Sequence, residues 1–182
     1  VNFIDTADVY NDGRSEEVVG RAIATRRGWW VLATKFANPV EDGPNGRGLS
    51  RRHAFRAVQA SLRRLGTDVI DLYQAHKDDG QTPLEETLGA FARLIEQGKV
   101  RAIGASNYDA PRLRAALETS AKFGLPRYES LQPHYNLMER GIEADLLPLC
   151  QEHGLNFICV TDAKATPTNI RLIEAFGATV EV

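Results

Sequence analysis

Cysteine is scarce in these 182 residues: only Cys150 and Cys159 occur, and with no CxxC spacing they suggest neither a disulfide framework nor a cysteine metal site. A reducing, cytoplasmic setting is the default expectation. An excess of charge of one sign is lacking too. Formal net charge is −2, with charged residues at 25% and hydrophobic residues at 43%, so nothing argues electrostatically for a nucleic-acid or membrane partner. The pairs Arg26-Arg27, Arg51-Arg52 and Arg63-Arg64 lie inside helical patterns and read first as solvated faces. No apolar run approaches the ~20 residues that span a bilayer, and no charged-then-apolar leader is expected. No glycine-rich phosphate loop follows the first apolar run, which argues against the dinucleotide-binding doubly wound fold. Gly104 has no GxGxxG neighbours and reads as a packing glycine. The histidines are scattered without a close ligand pair, so no metal site is expected.

What the chain has is alternation. Apolar stretches at 2–6, 30–34, 69–74, 100–105, 128–132, 155–160 and 178–182 recur at even spacing, and the first six are each followed by a segment long enough for a helix. That is the pattern of parallel strands with helical crossovers, and seven such strands without a linker favour a barrel. Thr82 with Pro83 and Glu85 predicts a capped helix start before the stripe Leu84, Leu88, Phe91, Ile95. Phe55, Val58, Leu62 and Leu65 make a similar stripe between Ser50 and Gly66, and Asp109 with Pro111 opens a helix that Gly124 closes. Residues 36–50 are rich in Asn, Asp, Gly and Pro, including Asn38, and read as a long loop on the side where the strands end.

Polar side chains stand at those ends. Asp5, Lys35 and His76 close three apolar runs, and Tyr10 follows Asp5 by five residues. Strand ends of a parallel barrel converge on one mouth. There Asp5 and Lys35 could pair, and an ammonium beside a phenol would make Tyr10 a tunable acid. Each also has a plainer reading: Asp5 capping the following loop, Lys35 rising to solvent, Tyr10 packing under a loop, His76 bonded to Asp78 or Asp79. His53 and His153 sit in helical patterns and look structural. Ser106, Asn107 and Gln132 place neutral hydroxyl and amide groups at neighbouring strand ends, suited to an amide-bearing ligand or to ordinary loop capping.

Taken together, segments 2–10 (NFIDTADVY), 13–17 (GRSEE), 33–35 (ATK), 71–76 (DLYQAH), 98–107 (GKVRAIGASN) and 131–140 (LQPHYNLMER) resemble the aldo-keto reductase family, in family order across 1–155. The resemblance implies a (β/α)8 TIM barrel reducing aldehydes or ketones with NADPH, or NADH. It makes Tyr10 the proton donor, with Lys35 and Asp5 tuning its acidity and His76 orienting the carbonyl. Ser106, Asn107 and Gln132 would hold the nicotinamide carboxamide.

Departures accompany the likeness. The length falls short of the roughly 250 residues of a full barrel, and Val1 lies directly inside a strand, so the family's first strand is expected to be missing. Residues 156–182 depart from the family and resemble the cysteine synthase group of pyridoxal-phosphate enzymes through Thr166-Pro167-Thr168-Asn169 and Gly177-Ala178, without that group's Schiff-base lysine or phosphate loop. A chimera carrying a borrowed strand-helix-strand unit, or an assembly error, yields such a string. The competing expectation is a catalytically inactive fragment or scaffold that self-associates through unpaired strand edges; pyridoxal-phosphate chemistry is a weaker third.

Overall fold

The computed structural model describes residues 2–158, Pro44 and Leu137 excepted. Strands and helices alternate: β1 Phe3–Asp5, α1 Arg14–Ile23, β2 Val31–Phe36, α2 Arg51–Leu65, β3 Ile70–Ala75, α3 Leu84–Glu96, β4 Val100–Ser106, α4 Ala110–Phe123, β5 Ser130–Gln132, α5 Leu146–Glu152 and β6 Asn156–Phe157. The six strands are parallel and follow chain order across one sheet. The first five lie within two residues of their expected bounds. The expected strand 178–182, the Thr166-Pro167 helix and most of the 156–182 tail lie outside the described residues.

The sheet is curled into a partial barrel of the (β/α)8 type. In a flat sheet β1 and β5, four strands apart, would be separated by about 19 Å. Instead the Gln132 side-chain amide donates to Asp5 Oδ2 at 3.4 Å. Successive helices pack side by side, α1 on α2, α2 on α3 and α3 on α4, and cover one face of the sheet.

Between sheet and helices runs an aromatic ladder. Phe36 stacks on Tyr73 with ring centroids 4.9 Å apart, Phe91 of α3 meets both edge-on, and Tyr128 and Tyr108 continue the series. The stripes read from sequence supply the helical side. Val58, Leu65, Leu88 and Phe91 are fully buried, with Phe55, Leu62 and Ile95 packed at the margin.

Helix ends follow local chemistry. Ser50 accepts from the His53 N–H and Asp109 from the Arg112 N–H, while Gly66 and Gly124 close α2 and α4 in the left-handed conformation. The start of α3 differs from expectation. Pro83, not Thr82, is its cap residue, and no side chain caps it. Asp79 accounts for the change, because it accepts both the Thr82 hydroxyl, at 2.6 Å, and the Thr82 N–H, at 2.8 Å. The Thr82 hydroxyl is thus drawn into the preceding turn, and no backbone N–H of α3 donates to it.

Candidate active site

The register explains how Asp5 and Lys35 meet. Asp5 pairs with Ala33, two residues before Lys35, so both side chains leave the same face of the sheet, diagonally adjacent. Lys35 donates to the Asp5 carboxylate, to the Thr6 carbonyl at 3.0 Å and to the Tyr10 hydroxyl at 3.3 Å. Its side chain is almost wholly buried, and three oxygens supply the partners a buried ammonium requires.

Tyr10 reaches this point because the chain turns sharply behind it. Asn11, Asp12 and Gly13 all take positive φ, at 50°, 54° and 84°, and these are the residue types that tolerate the left-handed region. The turn brings the Tyr10 ring edge-on to His76, with centroids 5.7 Å apart and planes at 83°.

His76 is held from two sides. Its N–H donates to the Phe36 carbonyl at 2.8 Å and its own carbonyl accepts from Asn107 Nδ2 at 3.0 Å. Its ring Nδ1 faces Asn38 Nδ2 at 3.0 Å. The alternative of a bond to Asp78 or Asp79 is overturned: Asp78 is taken by Arg112 and Asp79 by Leu49 and Thr82. Burial, reinforced by the nearby Lys35 and Lys77 cations, pushes the His76 pKa down to about 4, so its ring is neutral at physiological pH.

Ser106, Asn107 and Gln132 also converge. Ser106 pairs with Gln132 across β4 and β5, and its hydroxyl donates to the Gln132 carbonyl at 2.8 Å. Asn107, with φ 54°, turns back so that Nδ2 reaches Ser106 Oγ at 3.0 Å. Gly104 is a packing glycine. A Cβ there would lie 2.4 Å from Ser130 Oγ and 3.2 Å from Gln74 Cγ, and its absence leaves room for Gln74 to donate to Asp5 Oδ1 at 3.2 Å.

Two side chains at the site and a buried cluster behind it escaped sequence reasoning. Gln74 shares the row of Lys35 and braces Asp5; its place inside a strand was a signal for it. Asn38 was legible only as one polar residue among many in its loop. Behind the site lies a buried cluster in which Glu16 accepts from Thr34 Oγ1 at 2.6 Å and from Arg64 Nε at 2.7 Å. Asp8, 3% exposed, sits beside it with neither carboxylate oxygen in a well-formed hydrogen bond among the described residues. Burial first, and then Glu16, push the Asp8 pKa up to about 7 against the opposing pull of Arg64. The Tyr73 hydroxyl is likewise buried without a partner among the described residues.

Among the described residues no cluster of His, Cys, Asp or Glu is arranged to hold a metal ion, and no helix is long and apolar enough to cross a membrane.

Comparison with known proteins points to one family. The profile described as "Aldo/keto reductase family" matches residues 1–163, past the 155 boundary expected from sequence. Aldo-keto reductase YhdN of Bacillus subtilis is 39% identical over 158 residues, 85% of this chain and 46% of that protein. A protein named "Probable voltage-gated potassium channel subunit beta" from Arabidopsis thaliana is 38% identical over 161 residues, 85% of this chain and 48% of its own. Versiconal hemiacetal acetate reductase of Aspergillus parasiticus is 37% identical over 174 residues, covering 85% and 50% respectively. The chain thus spans about half the length of the curated relatives it matches, and it belongs to the aldo/keto reductase family.

Proposed function

We propose that the chain carries the reaction centre of a nicotinamide-dependent oxidoreductase that reduces small aldehydes or ketones to alcohols, with Tyr10 as proton donor. The observation that carries this reading is the single ammonium of Lys35, shared between the Asp5 carboxylate and the Tyr10 hydroxyl beside the His76 ring. A bound NADPH, with NADH as the alternative, supplies the hydride.

The rest belongs to the protein. The Tyr10 hydroxyl gives its proton to the oxygen of the former carbonyl, and Lys35 opposes the charge left on the phenolate. Tyr10 is 40% exposed, so solvent can return the proton. His76 offers a hydrogen bond to the same oxygen and orients it. Asp5, braced by Gln74 and Gln132, holds Lys35 in place.

The chemistry of Ser106, Asn107 and Gln132 suits a carboxamide. Asn107 Oδ1 and Gln132 Oε1 accept from no group among the described residues, which leaves two acceptors for an amide NH2, and Gln132 Nε2 retains a second hydrogen for its oxygen. A reducing, cytoplasmic setting accords with this chemistry.

The test is a titration of the purified chain with NADPH, followed by fluorescence, together with turnover of a small aromatic aldehyde by the parent and by Tyr10→Phe. Saturable fluorescence change and Tyr10-dependent turnover are expected. Absence of both overturns the reading.

A second reading, a scaffold that self-associates, draws support from the sheet's edges. Among the described residues β1 pairs only with β2 and β6 only with β5, and Phe3 and Val31 are 36% and 38% exposed. Light scattering distinguishes the two, since edge pairing gives concentration-dependent growth without turnover. A recombinant origin for the tail is supported by its Thr166-Pro167-Thr168-Asn169 segment, and resequencing the source DNA checks it.

A further inference from the structure

Asn38 and Ala37 form a device that the aldehyde or ketone chemistry above does not by itself require. Ala37 has φ 132° although it is buried at 2% exposure, a conformation disfavoured for any residue bearing a Cβ. It persists because the carbonyls on both sides of its Cα are pinned: the Gly48 N–H donates to the Ala37 carbonyl at 2.8 Å, and the Phe36 carbonyl accepts the His76 N–H at 2.8 Å. The strained residue turns the chain directly after β2, and the next side chain, Asn38, arrives with its amide nitrogen 3.0 Å from His76 Nδ1.

An amide NH2 has two hydrogens and no acceptor lone pair to offer. With Asn38 Nδ2 turned to the ring as it is, the imidazole nitrogen opposite it accepts. A neutral imidazole carries one N–H, so the hydrogen resides on Nε2. The opposite tautomer would set two donors face to face across 3.0 Å. Nε2 meets no partner among the described residues and is not enclosed, so its N–H is free for a ligand oxygen.

We propose that Asn38, aimed by the strained Ala37, is a positioning residue that locks His76 in its Nε2–H tautomer, so that the ring presents only a hydrogen-bond donor to the substrate oxygen. The proposal rests on the carbonyl-reduction reading for its consequence but not for its geometry. The charged groups around the ring, Lys35 and Lys77, are both cations and oppose a second ring proton.

The test is two-bond 1H–15N correlation NMR of the apo chain, with the His76 signals assigned through His76→Gln. The parent is expected to show the Nε2–H tautomer. Asn38→Asp, whose carboxylate can only accept, is expected to shift the ring to the Nδ1–H form, while Asn38→Leu leaves a mixture. In turnover, Asn38→Asp should lower kcat roughly a hundred-fold, the scale of losing one donor to a developing oxyanion, with cofactor affinity by fluorescence titration unchanged.

An Nδ1–H signal in the parent overturns the proposal, as does an unchanged tautomer in Asn38→Asp. The parent spectrum stands even where a variant fails to fold. A parent that shows the Nε2–H form yet never turns over aldehyde sinks the reductase reading and leaves the tautomer lock intact.

Discussion

The Tyr10 ring stands edge-on to the His76 imidazole at 5.7 Å, while Lys35 Nζ touches the same phenol at 3.3 Å. One phenol is thus flanked by two groups from different strand ends, the ammonium at its hydroxyl and the imidazole at its ring. Tyr10→Phe keeps the ring and removes the proton. It is expected to cut kcat by about a hundred- to ten-thousand-fold and to change stability by less than about 0.5 kcal/mol, measured by steady-state kinetics and urea unfolding.

Lys35→Met should behave differently. The lysine is almost wholly buried and the Asp5 side chain is 18% exposed, so the substitution leaves a carboxylate short of its counter-charge. A loss of about 3 kcal/mol is expected, together with the loss of turnover. Equal stability of parent and variant in urea would contradict this account of the pair.

Asp8 ties stability to pH. Its folded pKa is raised from 3.8 to about 7, so between those values the folded state keeps a proton that the unfolded chain has released. Stability from this group is therefore fully present below about pH 4, falls as pH rises and levels off above about 7. The size is on the order of 4 kcal/mol. Asp8→Asn, neutral throughout, should abolish that slope when its pH-stability curve is compared with the parent's.

His76 has the opposite sign. Its folded pKa is depressed from 6.5 to about 4, so the neutral ring stabilises the fold above about 6.5 and that stability is lost as pH falls toward 4. No inflection from His76 is expected in kcat between pH 5 and 8. An NMR titration of its ring checks this, and a midpoint above 6 would refute it.

Ala37→Gly relieves the positive φ at the end of β2. Stored strain of about 1 to 3 kcal/mol is offset in part by the greater freedom of glycine in the unfolded chain, so a net gain of about 1 kcal/mol in urea unfolding is expected. If the strain serves to aim Asn38, the more stable variant should also be the slower one.

Much of the site was legible because strand ends are legible. Apolar runs stop where side chains leave the core, so Asp5, Lys35, His76, Ser106, Asn107 and Gln132 were placed by counting along the chain. Where a polar residue lay in a run of similar loop residues, as Asn38 did, periodicity carried no signal for its partner. Thr82 failed for a related reason. Its capping pattern was correct locally, but Asp79, three residues away, draws both the Thr82 N–H and hydroxyl into the preceding turn.

Sequence alone determined the order of strands and helices, the helix starts after Ser50 and at Asp109, and the rim on which the polar groups stand, because these depend on alternation and short-range hydrogen bonds. Only the tertiary structure decided that Gln132 reaches Asp5 across four strands, that Asn38 meets His76 Nδ1, and that Asp8 is enclosed beside Glu16 and Arg64. Those relations depend on the curl of the sheet and on burial. Both arise from how distant segments share one volume, which no local pattern encodes.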